Sequence, residues 1–145
     1  MTKKTEPYNH KLSHIHHFEV RFNETDPLGI VWHGNYYIYF EQGREAFGKK
    51  YNLTYLEIQK KGFVVPIVKS ECEYKHPLKY GDTATIETTF VATNAAKLIY
   101  TYKIYNQDKT LICTGKTIQV FLDTNGKLCL YNPDFFQQWK NKHLI

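Results

Sequence analysis

Residues 21–47 read RFNETDPLGIVWHGNYYIYFEQGREAF, and the centre of that stretch sets an acid, Asp26, seven positions ahead of a histidine, His33. Pro27 and Gly29 follow the acid, and Trp32, Gly34 and Asn35 surround the histidine. Asp, Pro and Gly suffice for a turn, so a plain turn aspartate closing a strand is one reading of Asp26. The other is chemical. A helix N-terminus presents unpaired N–H groups and a partial positive charge. A carbonyl held there has its developing oxyanion stabilised by backbone donors, while a carboxylate alongside attacks the carbonyl or deprotonates a water that does. Glu24, two positions before Asp26, falls on the same side of an extended strand and is expected to raise its pKa by like-charge repulsion.

That chemistry needs a helix beginning near His33, and the spacing predicts one. Tyr36, Phe40, Gly43, Phe47 and Tyr51 fall on one helical face, with Glu41, Glu45 and Lys49 opposite. Asn35 is expected to cap its N-terminus through the side chain. A glycine on the apolar face, Gly43, implies very close packing there, since Gly costs about 1 kcal/mol of helix propensity.

Before this helix, residues 14–22 alternate as a strand, with Phe18, Val20 and Phe22 on one face. After it, residues 54–61 form a short helix ended by Gly62. Strands follow over residues 63–74, 83–92, 97–105 and 111–123. The Asn125-Gly126 pair marks a hairpin, and residues 133–142 form a short terminal helix with Pro133 at its start. Residues 1–13 read as a loose tail. One helix among antiparallel strands gives an α+β domain spanning the chain, residues 1–145. A single long helix cannot cover both faces of such a sheet, so a homo-oligomer, dimer or tetramer, is expected.

Composition narrows the function. The 145 residues carry a formal charge of +5, dispersed in pairs rather than gathered in a stripe. This suits a phosphorylated small molecule and argues against a nucleic-acid partner. The three cysteines are widely spaced and form no CxxC, so reduced thiols in the cytoplasm are expected rather than a disulfide frame or zinc site. There is no apolar leader at the N-terminus and no window of membrane-spanning length. The only serines, Ser13 and Ser70, lie outside any GxSxG, and neither GxGxxG nor GxxxxGK[ST] occurs. His10, His14, His16 and His17 read as an exposed strand start. His14 and His16 share a face, but no accompanying carboxylate or cysteine completes a metal site.

Asp26-Pro27-x-Gly29-Ile30-Val31-Trp32-His33-x-Asn35-Tyr36, followed by Phe40-Glu41 and Arg44, resembles the signature of the 4-hydroxybenzoyl-CoA/acyl-CoA thioesterase family of hotdog-fold proteins. YKHPLKYGD, residues 74–82, is similar to a second recurrent segment of that family. The resemblance implies a hotdog fold, a five-stranded antiparallel sheet wrapped around one long helix. It implies hydrolysis of an acyl-CoA thioester, with CoA as part of the substrate and neither metal nor redox cofactor. Asp26 takes the role of catalytic nucleophile or general base, and the His33 backbone N–H that of oxyanion donor.

The same resemblance puts Gly29, Val31, Trp32 and Tyr36 along the substrate pocket, although Trp32 and Tyr36 fit a core role equally. Lys75, His76 and Lys79 become contacts for the CoA phosphates, against the alternative of a solvated loop. The active site is expected at a dimer interface. Phe22 stands where the acyl-CoA branch has a tyrosine, which leaves the acyl group open. Glu41 is read as structural, because Asp26 already supplies the carboxylate. An acyl-carrier-protein thioesterase and a non-catalytic acyl-CoA sensor are the competing readings on the same fold.

Overall fold

The computed structural model describes residues 12–144. The elements run β1 (Leu12–Glu19), 3-10 turns at Phe22–Glu24 and His33–Asn35, α1 (Tyr36–Tyr51), α2 (Tyr55–Lys60), β2 (Ile67–Tyr74), β3 (Thr83–Phe90), β4 (Lys97–Asn106), β5 (Leu111–Val120) and α3 (Asp134–His143). The five strands form one antiparallel sheet in the order β1-β3-β4-β5-β2. It is the expected α+β hotdog arrangement, with α1 laid across the inner face.

Alternation explains the packing. Ala84, Ile86, Thr88 and Phe90 of β3 and Leu98, Tyr100, Tyr102 and Ile104 of β4 are buried, and their neighbours point outward. The α1 face that meets them carries Tyr36, Tyr39, Phe40, Gly43, Phe47 and Gly48. The close packing predicted at Gly43 is present: a Cβ there would overlap the Thr88 hydroxyl. Phe40 approaches the sheet equally closely at Gly115, where any side chain would meet its ring. α3 closes the far end of the core. Its Phe136 and Trp139 pack on Phe90, and the Trp139 indole N–H donates to the Tyr51 carbonyl at 2.7 Å, tying α3 to the end of α1.

Four sequence expectations change. The first strand ends at Glu19, not residue 22. Beyond it the Arg21 N–H donates to Glu24 Oε1 at 2.7 Å and closes a 3-10 turn, which breaks the alternation. Phe22 therefore swings out, 76% exposed, edge-on to Tyr80 at 5.6 Å. Leu12 and Ser13, expected in a loose tail, are strand residues; the rest of that tail lies outside the described residues. The strand expected from residue 63 starts at Ile67, because Pro66 has no N–H for the ladder and Val64 makes only an isolated bridge to Leu122. The strand expected to run to residue 123 ends at Val120, and Leu122 also bridges Leu128 across the Asn125-Gly126 hairpin.

Among the described residues no helix is long and apolar enough to cross a membrane. Nor is any group of three or more His, Cys, Asp or Glu arranged to hold a metal.

Candidate active site

The Asp26 stretch is a tight hairpin. The Gly29 N–H donates to the Asp26 carbonyl at 2.9 Å, the Asp26 N–H donates to the Ile30 carbonyl at 2.8 Å, and Thr25 bridges Val31. Pro27 suits the first turn position, and Gly29 adopts φ +76°, which a side chain would oppose. The Asp26 carboxylate takes part: Oδ1 accepts the Leu28 N–H at 2.8 Å. The carboxylate's other oxygen has no hydrogen bond among the described residues. Asp26 thus meets the turn reading, with one carboxylate oxygen left over.

From this hairpin the chain leads straight into α1. The Trp32 N–H donates to the Glu24 carbonyl at 2.9 Å, and the Asn35 side-chain amide donates to that same carbonyl at 2.7 Å. Asn35 therefore does not cap α1 with its side chain, as expected from sequence. The side chain faces back and ties the helix start to the turn before the hairpin. The helix is opened instead by the His33–Asn35 3-10 turn, where the Asn35 N–H donates to the Trp32 carbonyl at 2.9 Å. The His33 N–H, at the first position of that turn, donates to no group among the described residues. Gly34 is bare because the Trp32 indole lies over it and leaves no room for a Cβ.

The second sequence segment packs against the first. The Val31 N–H donates to the Leu78 carbonyl at 2.9 Å, and Ile30 bridges Lys79. The Leu78 N–H donates to the Tyr36 hydroxyl at 3.4 Å. Val31, Tyr36 and Leu78 are all buried, so Val31 and Tyr36 of the motif are core. Burial pushes the Tyr36 phenol up to about 12, which keeps it protonated. Trp32 and His33 are exposed, and their rings lie 5.0 Å apart.

The basic residues divide. Lys79 belongs to the hairpin pair, its backbone N–H held by Asp82 Oδ2 at 2.9 Å and its side chain exposed. Lys75 and His76 bond instead to the start of β5, both backbone N–H groups donating to the Ile112 carbonyl. Lys75 also pairs with Glu73 at 3.0 Å, and His76 Nδ1 lies 3.2 Å from the Leu111 carbonyl oxygen.

Glu24 does not face Asp26 as an extended strand would have placed it. Its carboxylate accepts the Arg21 N–H and the Tyr39 hydroxyl, the latter at 3.1 Å. Burial first, then the Glu24 charge, holds the Tyr39 phenol well above its usual range. Glu41 is exposed on the α1 surface, away from the hairpin contacts.

One contact in this region has no sequence signal of its own. The Tyr74 hydroxyl, at the end of β2, donates to the His33 carbonyl at 2.7 Å, and its ring stands edge-on to Tyr36 at 5.2 Å. Tyr74 opens the YKHPLKYGD segment, yet only its hydrogen bond in the folded chain shows that it reaches the opening turn of α1. Cavities of about 1260, 400 and 740 Å3 open on the single chain, and neither Asp26 nor His33 lines any of them.

Residues 20–139 match the family profile described as the thioesterase-like superfamily. A Bacillus subtilis protein named "Putative acyl-CoA thioesterase YneP" is 44% identical over 121 residues, which cover 83% of this chain and 88% of that protein. The acyl-CoA thioester hydrolase YbgC of Escherichia coli is 23% identical over 72% of this chain and 78% of its own length. Among solved structures, a DHNA-CoA thioesterase from Staphylococcus aureus superposes with a TM-score of 0.80 at 26% identity, covering 90% of each chain. With a profile spanning the hairpin, α1 and strands β2 to β5, the chain belongs to the thioesterase-like superfamily.

Proposed function

We propose that this chain hydrolyses an acyl-CoA thioester to the free acid and CoA, with Asp26 as nucleophile or general base and the His33 amide as oxyanion donor. The observation that carries this reading is the pairing of two unsatisfied groups by one short segment. Among the described residues, Asp26 keeps a carboxylate oxygen without a hydrogen bond, and the His33 N–H, at the start of a 16-residue helix, has no acceptor. The hydrogen bonds at Trp32, Asn35 and Val31 fix the rigid path between them.

The chemistry rests on those two groups. The thioester carbonyl oxygen accepts the His33 N–H, and the helix end favours the negative charge that builds on it. Asp26 either attacks the carbonyl carbon, giving an anhydride that water opens, or takes a proton from the attacking water. On either route the tetrahedral intermediate collapses by expelling the CoA thiolate, and on the first route that collapse is the step that leaves the anhydride. A thiol of pKa about 8.5 leaves readily, so the reaction asks for no metal and no redox cofactor. Lys79, exposed and bridged to the Asp26 hairpin through Ile30, is the best placed of the three basic residues for a CoA phosphate.

A second copy of the chain fits this reading. All of β2 except Cys72 is exposed on the isolated chain, including Ile67 and Val68, and β2 is an edge strand of the sheet. Edge-to-edge pairing there covers that strand and brings the partner's surface against Trp32 and the opening turn of α1. It supplies the wall that a single chain lacks around Asp26.

A panel of aliphatic, aromatic and hydroxylated acyl-CoAs, read by release of free thiol, tests the function. Turnover on at least one member that Asp26→Asn abolishes is the expected result. Full turnover in that variant, or no hydrolysis across the panel, overturns it.

A further inference from the structure

We propose that a cavity between α1, α2 and the inner face of the sheet receives the acyl group of a thioester held at the partner's Asp26 and His33, and that Tyr100, Gln119 and Arg44 in it select an acyl group ending in a hydroxyl. The assignment to turnover rests on the hydrolase reading above; the binding preference does not. The cavity has a volume of about 400 Å3. Leu53, Ile58, Val65 and Leu98 give it apolar walls, and all four are buried. An apolar cavity of about 150 Å3 already holds benzene, so this one admits an aromatic ring or a chain of about six carbons.

Three polar side chains interrupt those walls. Tyr100 is 2% exposed and Gln119 8%, yet both line the cavity and each keeps a polar atom without a protein partner. The Gln119 amide N–H donates to the Val65 carbonyl at 2.8 Å, while its Oε1 accepts from no group among the described residues. The Tyr100 hydroxyl likewise makes no hydrogen bond among the described residues. Neither atom is sealed in, because among the described residues only the Thr88 hydroxyl is both closed off and unpartnered. Burial holds the Tyr100 phenol well above its usual range, so it keeps its proton and can donate. Arg44 Nη1 donates to the Tyr102 hydroxyl at 3.1 Å, and no carboxylate among the described residues pairs with the guanidinium, which leaves it donors to offer. Open donors beside an open acceptor are matched by a group that is both. A hydroxyl accepts from Tyr100 or Arg44 and donates to Gln119 Oε1. Glu41 and Glu45 also line the cavity, and two carboxylates against one guanidinium disfavour an anionic end.

The cavity serves the other copy because of where β2 begins and ends. Within one chain Arg44 lies about 16 Å along the α1 axis from His33, too far for a short acyl group held at the His33 amide. The two ends of β2 bridge that gap between copies. Ile67, its first residue, lines the cavity, and Tyr74, its last, holds the His33 carbonyl. A two-fold pairing of exposed β2 edges runs the strands antiparallel. The pairing that covers the whole strand sets Ile67 of each copy beside the partner's Tyr74. The mouth of each cavity then meets the opening turn of the partner's α1, where the thioester carbonyl sits.

The test compares hexanoyl-CoA with 6-hydroxyhexanoyl-CoA, and benzoyl-CoA with its 4-hydroxy analogue, by kcat/KM. The matching CoA thioethers, which cannot be hydrolysed, are compared by calorimetric Kd. A site built to bond a hydroxyl discriminates strongly against the analogue without it, so the hydroxylated member of at least one pair should be favoured at least about 10-fold in both measurements. Tyr100→Phe removes a hydroxyl that no protein group uses, and it should lower that preference several-fold; Gln119→Met should do the same. Equal treatment of both members in both pairs, or a preference that neither variant moves, overturns the selection. A greater preference for adipoyl-CoA, which ends in a carboxylate, overturns the hydroxyl reading. Mixed dimers of Asp26→Asn and Tyr100→Phe chains, purified by two tags, then decide which copy supplies the cavity. In them the intact acid and the intact cavity lie on different chains. A native preference in the mixed dimer supports the shared site, and the weakened preference of the Tyr100→Phe homodimer overturns it. Thioethers that show the preference while no thioester is hydrolysed defeat the hydrolase reading alone, and hydrolysis without a preference defeats this inference alone.

Discussion

The chain makes the same turn twice. At Asp26-Pro27-Leu28-Gly29-Ile30 and at Asp123-Thr124-Asn125-Gly126-Lys127, the glycine N–H donates to the aspartate carbonyl, at 2.9 Å in both. In each the aspartate N–H donates to the fifth residue's carbonyl, at 2.8 and 2.9 Å, and the carboxylate accepts the third residue's N–H, at 2.8 and 2.9 Å. The glycines take φ +76° and +75°. Backbone and local hydrogen bonds do not distinguish a candidate catalytic acid from a structural one. The difference lies in where the chain goes next, since each carboxylate keeps its second oxygen without a hydrogen bond among the described residues. Asp123 Oδ1 takes a second N–H, from Lys127 at 2.9 Å, and the chain runs on toward α3. Asp26 spends one bond, and within a few residues the chain reaches the His33 amide at the opening turn of α1.

The sharpest way to break this comparison is the same substitution at both turns. An asparagine oxygen can still accept the third residue's N–H, so neither Asp26→Asn nor Asp123→Asn should change the thermal midpoint appreciably. Turnover should separate them: Asp26→Asn is expected to lose at least about 10²-fold in kcat, the usual scale for a general base or nucleophile. Asp123→Asn should match the parent chain on the best substrate of the acyl-CoA panel. Equal activity in the two variants would falsify the catalytic assignment and return Asp26 to its turn.

This pair of turns also marks what is legible in a sequence. The α1 face from Tyr36 to Phe47, the tight packing at Gly43 and the hairpin at Asn125-Gly126 all follow from local spacing and residue type, and all are present. Phe22 and Asn35 depart from their patterns, the first through a local turn that interrupts the alternation and the second through a distant partner. One 3-10 turn, closed by a bond between Arg21 and Glu24, is enough to reverse the face of Phe22. Asn35 is a good capping residue locally, but the Glu24 carbonyl eleven positions away takes its side chain. Tyr74 lies beyond sequence reach for the same reason, since its bond to His33 depends on where β2 docks. The DPLG and DTNG motifs are equally readable as turns. Only the longer family signature sets Asp26 apart.

The glycines give the next contrast. Gly29→Ala and Gly126→Ala each force a side chain into the left-handed region, at a cost of about 1–2 kcal/mol. No atom lies within 4 Å of an added Cβ at either position, so the cost is conformational and should be alike in the two variants, as chemical denaturation would show. Their kinetics should diverge. Gly29→Ala displaces Asp26 relative to the His33 amide and lowers kcat, whereas Gly126→Ala is expected to leave kcat unchanged. A kcat loss shared by both would mean that the turns act on the site through global stability.

The region served by the Asp123 turn leads to a buried ammonium with a pH signature of its own. α3 carries Lys140, fully buried, whose Nζ donates to the Thr93 carbonyl at 2.8 Å and to Asn132 Oδ1 at 3.2 Å, 4.4 Å from the centre of the Phe136 ring. Burial lowers its pKa from 10.5 to about 8. The unfolded chain then binds more protons than the folded chain between those values, so the Lys140 contribution rises with pH across that window and is lowest below about 8. The stability difference between the parent chain and Lys140→Met should shift in favour of the parent by up to about 1.4 kcal/mol per pH unit there. Urea titrations of both chains at several pH values would measure it; a pH-independent difference would mean that the ammonium keeps its ordinary affinity for protons.

The smallest expected effect sits at the junction of the Asp26 region with β2. Tyr74→Phe removes one hydroxyl and keeps the ring against Tyr36, so the loss is the bond to the His33 carbonyl. A bond of this kind is worth about 0.5–1.5 kcal/mol. The stability loss should be at the low end, because Tyr74 is 49% exposed and water can replace its hydroxyl. Any effect on the reaction should appear in kcat rather than KM, since the bond fixes the turn that offers the His33 amide to a developing charge and makes no contact that substrate binding alone requires. A fall in kcat of a few-fold with KM held would place Tyr74 as a positioning residue for the oxyanion amide. A rise in KM with kcat held would put it in substrate binding instead, and the opening turn of α1 would then keep its geometry through Trp32 and Asn35 alone, whose bonds to the Glu24 carbonyl are independent of β2.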